Sequence, residues 1–161
     1  MNLTIIWQLL ETVCDPEVPV LSILDLGIVR DVAQIKEQIV ITITPTYSGC
    51  PAMNVIEMDI RGVLGAAGFK NIAIKNVLSP AWTTDWLSEQ GKNKLKAYGI
   101  APPVESSGHV RVLFGRSPVV ECPQCGSKKT QMVSLFGSTA CKAMYQCLDC
   151  LEPFDYFKCL K

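Results

Sequence analysis

A single histidine, His109, is all the imidazole in this chain of 161 residues. That excludes a multi-histidine metal centre and any pairing of two catalytic histidines. Charge of one sign is also missing. Fifteen basic and fifteen acidic residues give a formal net charge of zero, so the usual electrostatic reason to expect nucleic acid or an anionic membrane as partner is absent. The opening residues Met1 to Gln8 contain no basic n-region, and Gln8 and Glu11 interrupt the apolar run. Neither a signal peptide nor a membrane span is expected there, and the expected location is the cytoplasm. Gly62, Gly65 and Gly68 form G-x-x-G-x-x-G within a helical pattern, which is not a dinucleotide fingerprint, and no phosphate-binding G-x-x-x-x-G-K-[ST] run exists. No carboxylate–histidine set for activating oxygen at two irons is present either.

Apolar residues make up 48% and charged residues 19%, enough for a core and too little charge for a disordered chain. The length suits one domain with a small appendage. Leu3, Ile6, Leu10 and Val13 predict a helix over 3–13, broken by Pro16 and Pro19. Ile28 to Ile35 and Ile39 to Thr44 read as strands joined by a turn at Lys36-Glu37-Gln38. A second helix follows from Ala52 to Ala67, with Pro51 at its first position and Gly68 as its stop. Ile72 to Leu78 reads as a third strand, and about Asp85 to Tyr98 as a third helix ended by Gly99. Ala101 to Gly108 reads as a loop and Val110 to Phe114 as a last strand. Ser117-Pro118 marks a boundary beyond which cysteine becomes much denser. The expectation is an α/β (α+β) fold: a two-layer sandwich over 1–116, followed by a zinc-ribbon-like tail over 117–161. That tail is too short to bury a core unaided.

Eight cysteines in 161 residues are too few for a disulfide scaffold, and the cytosol keeps thiols reduced. Cys122-Pro123-Gln124-Cys125 and Cys147-Leu148-Asp149-Cys150 are two C-x-x-C knuckles. This spacing lets two thiolates reach one ion from a tight turn, and two such pairs give a tetrahedral four-sulfur site. Structural zinc is the favoured occupant; a single iron or an iron–sulfur cluster uses the same four thiolates, and disulfides or free thiols are the alternative to any metal. Cys141 and Cys159 read either as replacements for a knuckle cysteine or as small buried hydrophobes.

Cys50 stands between Thr44-Pro45-Thr46-Tyr47-Ser48-Gly49 and Pro51, at a predicted helix start. Free amides and the helix dipole there favour a thiolate, so Cys50 reads as a reactive thiol or cluster ligand. The competing reading is a packed cysteine closing a strand–helix corner. Asp15 and Glu17 flank Pro16 as candidate ligands or acid/base groups, or as an ordinary solvated turn. Trp82 and Trp86, four residues apart, read as packing residues, and no role is expected for His109.

Three segments together carry a family resemblance: Asp15-Pro16-Glu17, Leu24-Asp25-Leu26-Gly27-Ile28-Val29 and Thr44 to Pro51. They resemble the small α/β family of metal–sulfur cluster assembly, which includes SufT-type and MIP-like factors. Ser79-Pro80-Ala81-Trp82-Thr83-Thr84-Asp85-Trp86 and the tail look like one bacterial branch of it, the PaaD (PaaJ) type of phenylacetate degradation. In the tail the resemblance rests on Phe136 to Lys142 and Glu152 to Cys159. It covers nearly the whole chain.

The resemblance implies a non-catalytic accessory or maturation component of the phenylacetyl-CoA epoxidase system, with that system's oxygenase and reductase proteins as partners. It puts the family's motif cysteine on Cys50 and its acidic motif on Asp15 and Glu17. Two further expectations compete with it: a stable non-catalytic subunit bound to the oxygenase, and an iron-bearing electron carrier. A homodimer is a further expectation.

Overall fold

The structure is a computed structural model that describes residues 3–104 and 118–158. It contains two compact units, Met1–Gly91 and Lys92–Lys161. The expected boundary at 116/117, the strand expected over Val110 to Phe114, and His109 all lie outside the described residues.

In the first unit the element order is α1 (Leu3–Glu11), β1 (Val29–Ile35), β2 (Gln38–Ile43), α2 (Ala52–Ala66) and β3 (Ile72–Asn76). α1 ends two residues before Val13 because Thr12 and Val13 donate to Leu9 and Leu10, tightening the last turn, and the Thr12 hydroxyl also takes the Leu9 carbonyl at 2.7 Å. β1 and β2 pair antiparallel through a turn shorter than expected, with Ile35 opposite Gln38 and Lys36 at φ 56°. β3 pairs parallel to β2. The strand order is therefore β1-β2-β3, with α2 as the crossover that a parallel pair requires. Ile39, Ile41 and Ile43 alternate onto one face of β2 and are buried, as are Ile6 and Leu10 of α1 and Ile56, Ile60 and Leu64 of α2. The core lies between this sheet face and the two helices.

The loop between α1 and β1 is built around a buried carboxylate. Asp25 is 3% exposed. Its Oδ2 accepts from the Ser22 amide at 3.2 Å and its Oδ1 from the Ser88 hydroxyl at 2.8 Å. Its backbone carbonyl accepts from the Ser88 amide at 2.8 Å. Ser88 Oγ in turn accepts from Gly91 N at 2.8 Å, which makes Ser88 a helix cap. That cap is why the expected helix over 85–98 divides. It becomes a 3-10 turn at Thr84–Trp86, an extended Leu87, and α3 at Glu89–Tyr98.

Trp82 is buried and donates from Nε1 to the Leu26 carbonyl at 2.7 Å, while Arg30 stacks 3.5 Å above the Trp86 ring. Both tryptophans thus clamp the 26–30 segment, Trp82 from irregular chain and Trp86 from the end of the 3-10 turn. Gly27, at φ +66°, leaves no room for a side chain: a Cβ there would sit 2.5 Å from the Trp86 carbonyl oxygen.

The second unit contains α3 from Lys92 onward, β4 (Ile100–Ala101), β5 (Thr130–Ser134), β6 (Lys142–Cys147) and β7 (Pro153–Phe157), in sheet order β4-β7-β6-β5. The start of the expected 101–108 loop is thus a short strand, parallel to β7. Two residues are too few to show periodicity. Tyr145 anchors the core, with Phe154 stacked at 5.9 Å and Tyr156 edge-on at 5.5 Å. No helix among the described residues is long and apolar enough to cross a membrane.

Two tests follow from this packing. Gly27→Ala combines a left-handed φ with a backbone collision and is expected to cost about 2–4 kcal/mol; an unchanged melting temperature would show that the Trp86 contact yields. Tyr145 is pushed up to about 12 by burial and the adjacent Tyr156. The folded state therefore favours the neutral phenol. Its contribution is intact below the unfolded value near 10 and is lost as pH rises through about 12. Tyr145→Phe is expected to move the alkaline unfolding midpoint upward, read by near-ultraviolet circular dichroism.

Candidate metal centre and the Cys50 loop

The two knuckles of the second unit are copies of one turn. Cys122 N donates to Ser127 O at 2.9 Å, and Cys147 N donates to Glu152 O at 3.0 Å. Gly126 takes the left-handed φ of +75° that the first turn needs, and Leu151, at +65°, takes the same place in the second. Ser127 and Lys129 join Asp149 across the knuckles, at 2.6 and 3.3 Å. The Ser127 hydroxyl and then Lys129 hold that carboxyl below its usual range. Asp149 ties the turns together.

The four sulfurs converge. Cys122 and Cys150 are 3.7 Å apart, Cys125 and Cys147 3.6 Å, and all four lie within 4.8 Å of one another. A tetrahedral zinc with sulfurs at ~2.3 Å requires edges of about 3.8 Å. The donor set therefore fits zinc, and four thiolates leave no open position for substrate. The Cys150 amide points at Cys147 Sγ from 3.5 Å. That amide, with the Asp149 amide, draws the Cys147 thiol below its usual range, while Cys125 and Cys150 are raised, so a metal must displace protons from the cluster as it binds. Cys141 is buried beside Thr139 Oγ1 at 3.1 Å, one residue before β6, whose far end carries Cys147; it is not among the converging four. Cys159 lies outside the described residues.

In the first unit Thr44 N donates to Ile28 O at 2.9 Å, extending the β1–β2 ladder by one rung. The chain then turns through Pro45 to Gly49, the latter at φ +82°. Cys50 N closes the turn onto Tyr47 O at 3.2 Å, and Cys50 O accepts from Met53 N at 3.3 Å, starting α2. Pro51 precedes the first helical residue and makes no side-chain cap. Cys50 is 9% exposed. Thr44 Oγ1 is buried and has no hydrogen-bond partner among the described residues, an uncommon state for a hydroxyl. Sequence alone did not single out Thr44, because a β-branched residue at a strand end reads as a strand former.

Asp15 holds its own turn. It is buried, and its Oδ1 accepts from Glu17 N at 2.7 Å and Val18 N at 2.9 Å. Glu17 is half-buried on the same turn.

The metal centre gives a direct test. Structural zinc contributes about 10–16 kcal/mol in small domains, more than a ribbon of this size can replace. Cys122→Ser is expected to abolish stoichiometric zinc and the near-ultraviolet signal of Tyr145, and chelation of the wild type should do the same reversibly. A metal-free ribbon that keeps that signal would show the core to be self-sufficient.

Comparison with known proteins adds to this geometry. Residues 4–75 match the model of an iron–sulfur cluster assembly protein, and residues 106–158 that of the PaaD zinc beta ribbon domain. A protein of Escherichia coli K12, described as a subunit of a "Putative 1,2-phenylacetyl-CoA epoxidase", is 50% identical over 155 residues, covering 96% of this chain and 92% of that protein. An Fe-S protein maturation auxiliary factor of Porphyromonas gingivalis is 36% identical over 90 residues, covering 55% of this chain and 85% of the relative. Among solved structures, a DUF59 domain from Bacillus anthracis superposes with a TM-score of 0.53 at 33% identity, covering 57% of this chain and 89% of that one. A conserved hypothetical protein from Thermotoga maritima shares the fold, with a TM-score of 0.51 at 23% identity over 59% of this chain and 94% of its own. The chain belongs to the PaaD family, which joins an iron–sulfur cluster assembly domain to a zinc β-ribbon.

Proposed function

We propose that this protein is an accessory component of a phenylacetyl-CoA epoxidase system in the cytoplasm, and that it assists maturation of an iron–sulfur or metal centre in a partner subunit without performing the oxygenation. The observation that carries this reading is the near full-length match to a subunit of such an epoxidase, together with an assembly domain in the first half of the chain. The cargo, iron or a cluster, is a substrate that passes through.

Cys50 is the group that would hold the cargo, from the loop that leads into α2. Thr44 supplies an unspent buried hydroxyl at the other end of the same loop. Asp15 and Glu17 act as positioning residues, since the Asp15 carboxylate already organises the turn containing both. Cys122, Cys125, Cys147 and Cys150 hold resident zinc in a closed shell, which suits a structural part and leaves exchange chemistry to Cys50.

The low exposure of Cys50 favours a second reading, a stable subunit in which this thiol is only packed. The two readings separate in an anaerobic loading assay, with iron and sulfide supplied to the purified metal-free reductase or oxygenase. Wild type is expected to accelerate loading, and Cys50→Ser to lose that acceleration by about tenfold or more while keeping its fold and zinc. If the serine variant loads as fast as wild type, Cys50 is not the carrier. If wild type has no effect on loading yet co-purifies stoichiometrically with the oxygenase, the subunit reading replaces maturation.

A further inference from the structure

The segment joining β5 to β6 is held more firmly than a connecting loop requires. Phe136 N and O both meet Ser134 Oγ, at 3.3 and 2.8 Å. Gly137 N donates to Lys142 O at 2.7 Å, and Lys142 N donates to Thr139 O at 3.1 Å. Lys142, itself only 6% exposed, sends its ammonium to Ser138 Oγ at 3.0 Å and stands 3.8 Å from Asp155. Ser138 Oγ also donates to Asp155 Oδ2 at 3.2 Å. A Cβ on Gly137 would meet that carboxylate at 2.7 Å, so the loop lies directly on it. From the other side Lys158 donates to the Leu135 carbonyl and sits 4.2 Å above the Phe136 ring.

An ion pair with one buried partner is a poor route to stability, because desolvation cancels much of the attraction; its better use is to enforce one shape. The shape enforced here is an unusual one. Leu135 and Phe136 remain 47% and 55% exposed at the tip, and Val133 and Met144, on the neighbouring strands, are exposed as well. Apolar side chains held rigidly in water lose little entropy when covered, which is the property of a binding hot spot.

The charge at this tip says what should cover it. Lys158 has no carboxylate within ion-pair distance among the described residues; burial draws its ammonium below the usual lysine range, and the nearby Cys141 sulfur offsets this only in part. A partly desolvated cation beside an apolar tip is completed by a carboxylate brought from outside.

We propose that the Leu135–Phe136 tip, with Lys158 at its rim, is the docking surface for a partner protein that offers an apolar pocket edged by a carboxylate. Resting on the function proposed above, that partner is another subunit of the phenylacetyl-CoA epoxidase. The four converging sulfurs lie toward the opposite end of β6 from this segment.

The test is binding of the full-length chain to each purified epoxidase subunit, by calorimetry. Leu135→Asp and Phe136→Ala are compared with Met58→Asp, which alters an even more exposed apolar residue on α2. Zinc content and circular dichroism establish that each variant is folded. One subunit is expected to bind wild type and Met58→Asp alike, to bind both tip variants at least about tenfold more weakly, and to bind less tightly as salt rises. Equal binding by all folded variants overturns the docking surface. So does a tip that governs only self-association, seen as a wild-type dimer and monomeric variants in sedimentation. Should the tip variants fail to fold, raising salt on wild type still decides: affinity for the subunit that does not fall with ionic strength removes the carboxylate and overturns the proposal. Wild type that binds no subunit also overturns it. The loading assay stands apart from all of these: acceleration by wild type, with tip variants equally active, would leave the maturation role intact while the docking surface fails.

Discussion

Much of the first unit depends on one buried carboxylate. Asp25 holds Ser22 on one side and Ser88 on the other, and these contacts bring the 79–88 stretch down over Leu26 and Gly27. Ile28 follows directly, and its carbonyl takes the Thr44 amide that opens the Cys50 loop. The candidate carrier thiol is thus positioned through a relay of backbone contacts that begins more than twenty residues earlier. A carboxylate buried to this degree is tolerated because each oxygen has a donor.

The second unit is organised from two ends of β6. At one end the four sulfurs draw two turns together; at the other Lys142 and Asp155 pin the 135–141 loop. Between them lies a small aromatic core around Tyr145, which could not hold this sheet unaided. The metal end converges four sulfurs and leaves no open ligand position. The lysine end is open to solvent and shaped. Structure and recognition are therefore divided along a single strand.

Much of this was legible in the sequence. The apolar spacing of Ile6 and Leu10, and of Met53, Ile56 and Ile60, marked both helices of the first unit, and the β-branched run from Ile39 marked its central strand. The C-x-x-C pairs announced their convergence because ligand spacing is a local property. What was not legible depended on contacts distant in sequence. Ser88 is an unremarkable serine until Asp25 reaches it, so the division of the third helix could not be seen. β4 is two residues long and exists only because β7 lies beside it. The unsatisfied hydroxyl of Thr44 is defined by what surrounds it, and no periodicity encodes that.

The sheet of the first unit has a kinetic consequence. β1 and β2 are joined by a tight turn and can pair early, at little cost in loop-closure entropy. β3 can join β2 only after the whole α2 crossover has been gathered in, a non-local step that comes later. The Cys50 loop lies inside that crossover, between the strand that forms first and the helix that must dock. During synthesis its thiol therefore stays accessible until the parallel pair closes, and the unit's candidate reactive group is among the last parts to be set in place.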